Sequence, residues 1–156
     1  MNNINFRSPL AVLLMASVVG ACENPVSHEE DHAEPDGLVL RASGTEVVRI
    51  SDDGVTGALT VAAGSQSPEL TVTFIDHEGS DIALDPHDYW VEVTSANSAT
   101  ATWQGTAAEG FTGRVTGHAA GATSLTFVLH HGAVGSGHAE EGAEFVVPLT
   151  VTATQQ

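Results

Sequence analysis

Residues 111 to 131 read FTGRVTGHAAGATSLTFVLHH. Glycines and small residues bracket a run centred on Val115, and Leu125 and Phe127 then alternate with polar neighbours. The pattern predicts a strand over 113–117, a glycine-bounded turn, and a second strand that ends in His130 and His131. The flanking sequence behaves the same way. In residues 70–75, LTVTFI, Leu70, Val72 and Phe74 share one face and Thr71 and Thr73 the other. In residues 88–94, DYWVEVT, Tyr89, Val91 and Val93 fall together with Glu92 opposite. Residues 99–103 turn Ala101 and Trp103 inward, and residues 145–153 close the chain with Val147, Leu149 and Val151 inward. Pro148 cannot donate to a ladder, so its amide side belongs on an edge. Residues 37–42, 46–51 and 58–62 complete the set of strands, separated by Ser-Gly-Thr, Asp-Asp-Gly and Gly turn signals. No segment carries a helical period. The expected fold is an all-β sandwich or barrel, with Val72, Phe74, Val91, Val115, Leu125, Phe127, Leu149 and Val151 in its core.

The 156 residues carry 20 acidic side chains against 4 basic ones, for a formal charge of −16. All the basic residues are arginines, and the chain has no lysine. Such a surface repels phosphate, which sets nucleic-acid binding aside, and it argues against electrostatic docking on anionic lipid. Attraction of cations and simple solubility remain as two readings of the charge. With a single cysteine, Cys22, neither an intramolecular disulfide nor a thiolate metal cluster can form.

Leu10 to Val19 form an apolar run of ten residues, too short for the roughly 20 that a bilayer span requires. It has the length of a signal-peptide core. The run leads into Val19-Gly20-Ala21-Cys22, which resembles a bacterial lipoprotein signal. That resemblance implies cleavage before Cys22, lipidation of its thiol, and anchoring in the bacterial cell envelope. Glu23 after the cysteine is compatible with outer-membrane sorting in such families, with the domain periplasmic or surface-exposed. Residues 23–36, ENPVSHEEDHAEPD, lack a hydrophobic period and read as an acidic tether. The expected organisation is a signal peptide over 1–21, a tether over 22–36 and one domain over 37–154.

Residues 97–103, NSATATW, followed by 113–127, GRVTGHAAGATSLTF, resemble the bacterial Ig-like group 2 family. Residues 59–64 and 70–79 add to the likeness, which covers roughly 57 to 130 and the last strand. Val93 stands where the family commonly has tryptophan, the hairpin loop before the final strand, residues 131–144, is long, and an additional hairpin over 37–51 precedes the family's span. The resemblance implies an Ig-like antiparallel β-sandwich used extracytoplasmically for adhesion, for interaction with an envelope protein, or as a spacer, without catalysis.

The histidines offer a different chemistry. His130 and His131 end a strand, and His138, Glu140 and Glu141 follow in a glycine-rich stretch that could fold back on them. Imidazoles with a carboxylate suit zinc or copper better than calcium or magnesium, which favour oxygen shells. Neighbouring strand residues point to opposite faces, so a regular strand lets only one of His130 and His131 meet His138. The rival ligand set lies in the tether, where His28 and His32 with Glu29 and Asp31 offer similar donors. His118 falls at the far end of its hairpin. His77 and His87 sit in acidic turns whose Asp and Gly are what turns require. For catalysis there is no Gly-x-Ser-x-Gly elbow, phosphate loop or HExxH, and Ser124 and Ser136 have no evident base, so no enzyme is expected. Two functions stand against each other: a lipid-anchored protein holding zinc or copper through His130, His131, His138, Glu140 and Glu141, and a non-catalytic interaction or spacer module with incidental histidines.

Overall fold

The structure is a computed structural model and describes residues 32–105 and 110–154. The described residues form ten strands and no helix. These are β1 (Gly37–Ala42), β2 (Thr45–Ser51), β3 (Gly54–Gly57), β4 (Leu59–Ala62), β5 (Leu70–Ile75), β6 (Tyr89–Ser95), β7 (Ala101–Gln104), β8 (Thr112–Gly117), β9 (Gly121–His131) and β10 (His138–Thr152). One sheet has the order β3-β2-β1-β5-β8-β7 and the other β4-β10-β9-β6. Together they make an all-β, Ig-like sandwich. Pairing is antiparallel except where β4 lies parallel to β10, Leu59 opposite Leu149 and Ala62 opposite Thr152.

Alternation of apolar and polar residues turns one face of each sheet inward. Phe74 and Phe127 are the largest fully buried side chains, and all eight residues expected in the core are buried. Phe127 meets Trp103 edge-to-face with ring centroids 5.4 Å apart. Arg41 donates from Nη1 to Thr73 Oγ1 at 2.8 Å and from Nη2 to Asp81 Oδ1 at 2.9 Å, which pins the segment after β5 against the sheet.

Three local features depart from the sequence reading. A short strand, β3, pairs with β2 through Val55 opposite Ile50; its four exposed residues carry no apolar period that would have marked it. Pro148 lies within β10, a strand paired on both sides, but β4 joins β10 only from Leu149 onward. On that flank the strand is still an edge at Pro148, which is where proline can be placed. The third departure is the largest. The stretch 131–144, read as one long loop, is mostly strand, with only residues 132–137 between β9 and β10. His138 faces His131 and Ala139 faces His130, after which the register resumes at Glu144 opposite Val128. Residues 140–143 therefore face Leu129 alone, a bulge of three extra residues.

The 132–137 turn is tightly closed. A Cβ added to Gly137 would stand 2.2 Å from the carbonyl oxygen of His131, so only glycine lets the backbone pass. Gly137→Ala is expected to cost roughly 1–3 kcal/mol, the usual range for overpacking a fitted site, read from urea unfolding. In the core, Phe127→Ala should cost about 3–5 kcal/mol because Phe127 is fully buried. A loss below about 1 kcal/mol in the same assay would contradict its place in the core.

Candidate metal centre

The two-residue period of β9 decides which histidine enters the site. Leu125, Phe127 and Leu129 point into the core, so His131 continues the inward row and His130 does not. Tyr89 of β6 is the register partner of His131, and their rings stack with centroids 4.7 Å apart and planes 20° apart. On the opposite face Trp90 pairs with His130, and those rings stack at 4.1 Å and 15°. His130 Nε2 lies 3.1 Å from Glu92 Oε2. His130, included among the expected ligands, is thus committed to another face of the sheet.

His138 opens β10 directly across from His131, and their ring centroids are 5.6 Å apart. The bulge then places the carboxylate. From Ala143 onward the buried positions of β10 are the odd-numbered ones, yet the bulge turns even-numbered Glu140 inward. Gly142, with φ of 76°, permits the change of phase. The Glu140 side chain is 4% exposed, whereas Glu141 points to solvent and lies outside the cluster.

The fourth member comes from the segment before β1. Pro35 is buried, Ala33 packs against the core, and the Asp36 amide donates to the carbonyl of Ile75 at 2.9 Å. These contacts lay residues 32–36 along the end of the sandwich and bring His32 to Glu140. His32 Nδ1 lies 3.3 Å from both carboxylate oxygens. His32, from the rival tether set, and His131, His138 and Glu140, from the hairpin set, therefore form one cluster. His28, Glu29 and Asp31 lie outside the described residues, as does Cys22.

One donor atom from each of His32, His131, His138 and Glu140 lies within 4.8 Å of the other three. The three imidazoles form a nearly equilateral triangle, with centroids 5.5, 5.6 and 5.6 Å apart and planes crossing at 86°, 64° and 74°. Zinc–nitrogen bonds of about 2.0–2.1 Å on a tetrahedron place donors roughly 3.3 Å apart and imidazole centroids roughly 5 Å apart. The observed triangle is only slightly wider, and Glu140 Oε1 lies 3.7 Å from His131 Nδ1. Small side-chain movements would bring the four donors onto an ion. Three neutral nitrogens and one carboxylate suit zinc or copper, and the single carboxylate is a poor shell for calcium.

Among the described residues the other histidines do not join. His118 Nε2 is 2.9 Å from Thr102 Oγ1 at the opposite end of the hairpin. His77 and His87 sit in turns organised by carboxylates: Asp76 Oδ1 accepts from the amides of Glu78 and Ser80, and Asp85 Oδ1 from that of His87, each at 2.9 Å.

A cavity of about 740 Å³ opens beside the cluster. His32, His138 and Glu140 form part of its wall, together with Glu34, Asp36 and Asp52. His131, stacked on Tyr89, is not part of that wall.

No protein-family model matches the chain, and no curated protein matches it in sequence. Among solved structures it is similar to domains 4 and 5 of the S-layer protein SbsC, at 26% identity and a TM-score of 0.43, over 63% of this chain and 49% of that one. Domains 5–6 of the same protein give 26% identity and a TM-score of 0.45, over 65% and 42%. Domains 4–9 give 20% identity and a TM-score of 0.44, over 79% and 23%. The chain spans about half, or less, of the length of these structures.

Proposed function

We propose that this protein is a lipid-anchored component of the bacterial cell envelope whose sandwich binds a transition metal ion, zinc or copper. The observation that carries the metal reading is the triangle of His32, His131 and His138 closed by the buried carboxylate of Glu140. A buried carboxylate is costly unless compensated, and a divalent cation among four donors supplies that compensation. The lipid anchor rests on Val19-Gly20-Ala21-Cys22 behind its apolar run. An interaction or spacer module with incidental histidines is the competing function, and it is what flat titrations would leave standing.

Titration of the lipid-free domain, begun upstream of His32, with zinc, copper and a calcium control is the direct test. Zinc or copper should bind, calcium should not, and His138→Ala or Glu140→Gln should each weaken binding by roughly 10–100-fold or more, since loss even of an outer partner costs that much. His130→Ala should leave affinity unchanged. At a hundredfold excess over Kd the metal should stabilise the fold by about 2.7 kcal/mol, seen as a rise in Tm. No binding by zinc or copper at millimolar concentration would end the metal reading, and loss of binding in His130→Ala would move the site.

The anchor has its own test. Cys22→Ser should abolish incorporation of labelled lipid and leave an uncleaved precursor. A wild-type protein that takes no label would remove the anchor and leave the metal site untouched.

A further inference from the structure

The cavity beside the cluster touches three of its four members, His32, His138 and Glu140, while His131 is stacked on Tyr89 and does not line it. An ion among these donors would face the cavity directly, and His32, with its side chain 47% exposed, would be its outermost ligand. A permanently enclosed structural ion would have no such opening.

The charge of the approach is of one sign. Besides Glu140, the acidic residues Glu34, Asp36, Asp52 and Glu141 line the cavity, and among the described residues no lysine or arginine does. A smaller groove of about 210 Å³ shares Asp36 and Asp52 with it and adds Asp53, Asp76 and Glu78. Among the described residues the one guanidinium on that groove, Arg49, is paired: its Nε donates to Glu46 Oε1 at 3.1 Å and its Nη2 to Oε2 at 2.9 Å. The hydrogen bonds from Arg49 hold the Glu46 carboxyl below its ordinary range, as expected of an ionised pair. The field along the approach is therefore negative from the rim to the donors.

We propose that this cavity is the route by which a hydrated divalent transition cation reaches and leaves the His32, His131, His138 and Glu140 cluster, so that the ion is exchangeable cargo. The proposal rests on the metal reading above and adds its route and lability. Clefts lined by one sign of charge focus the field and raise association rates of the opposite charge by 10–10³, an effect that salt removes. The same lining repels anions, so a phosphate, a carboxylate or an anionic chelate of the metal is disfavoured in this cavity, and the aqua ion is the favoured form.

The test is stopped-flow mixing of the lipid-free domain, begun upstream of His32, with cobalt(II), whose absorption bands report ligand geometry, and then with zinc(II) in competition. Wild type should associate fast at low ionic strength and slow markedly as salt is raised. The triple variant Glu34→Gln/Asp36→Asn/Asp52→Asn alters no member of the cluster. It should associate roughly tenfold more slowly at low salt, lose most of the salt dependence, and keep the cobalt spectrum. Glu69→Gln, at the far end of β5, should match wild type. An unchanged association rate in the triple variant, with the spectrum intact, overturns the route and leaves the metal site standing. Failure of wild type to bind cobalt or zinc overturns both. A bound ion that an added chelator removes only when the fold is melted refutes exchange.

Discussion

The end of the sandwich that carries the histidines is governed by the pairing of β9 on both edges. β10 lies on one side and β6 on the other, so between Leu125 and His131 the inward and outward positions of β9, Leu129 excepted, are fixed from both edges. A one-residue slip would exchange the faces of the whole strand. It would take Leu125, Phe127 and Leu129 out of the core, a loss that far exceeds anything a surface histidine could return. The apolar row thus dictates that His131 turns toward His138 and Tyr89 while His130 stacks on Trp90. A chemically distinctive site is oriented by side chains that take no part in it.

Glu140 is placed by the opposite device, a local break in that regularity. The bulge over residues 140–143 adds three residues without disturbing the pairs on either side of it. It lets a carboxylate share the inward face of β10 with Ala143, Phe145 and Val147 although it stands at the opposite parity. Buried among apolar groups alone, that carboxylate would be a liability. Here it faces His32 and His131, groups able to share a proton or a cation with it. Rigid strand geometry supplies two of the donors and irregular backbone supplies the other two.

Much of this was legible before the fold was known. The core alternation in 70–75, 88–94 and 145–153 is plain in the sequence, and the eight named core residues are buried. The choice between His130 and His131 was also within reach, because extending the parity of Leu125 and Phe127 by two more steps arrives at His131. The bulge was less visible: Gly142 hints at an irregular position, but a strand could not be distinguished from a loop across so many glycines. His32 could not be found from local pattern at all. Its place depends on where residues 33–36 dock, through Pro35, Ala33 and the Asp36 amide, and those contacts are set by tertiary packing. β3 escaped for a related reason, since an exposed edge strand needs a partner more than it needs an apolar period.

The separation of His32 from Glu140 along the chain, 108 residues, gives the cluster a topological role as well. An ion shared by the two would bind the beginning of the domain to its last hairpin and enclose nearly the entire sandwich in one ring. An ion held only by the folded chain stabilises it by mass action, so the strength of that tie grows with the free-metal concentration relative to Kd. Secreted domains commonly obtain such a constraint from a disulfide, which a chain with one cysteine cannot form. Coordination would supply the same tie in reversible form, so that resistance of the domain to unfolding and proteolysis would rise and fall with the metal content of its surroundings.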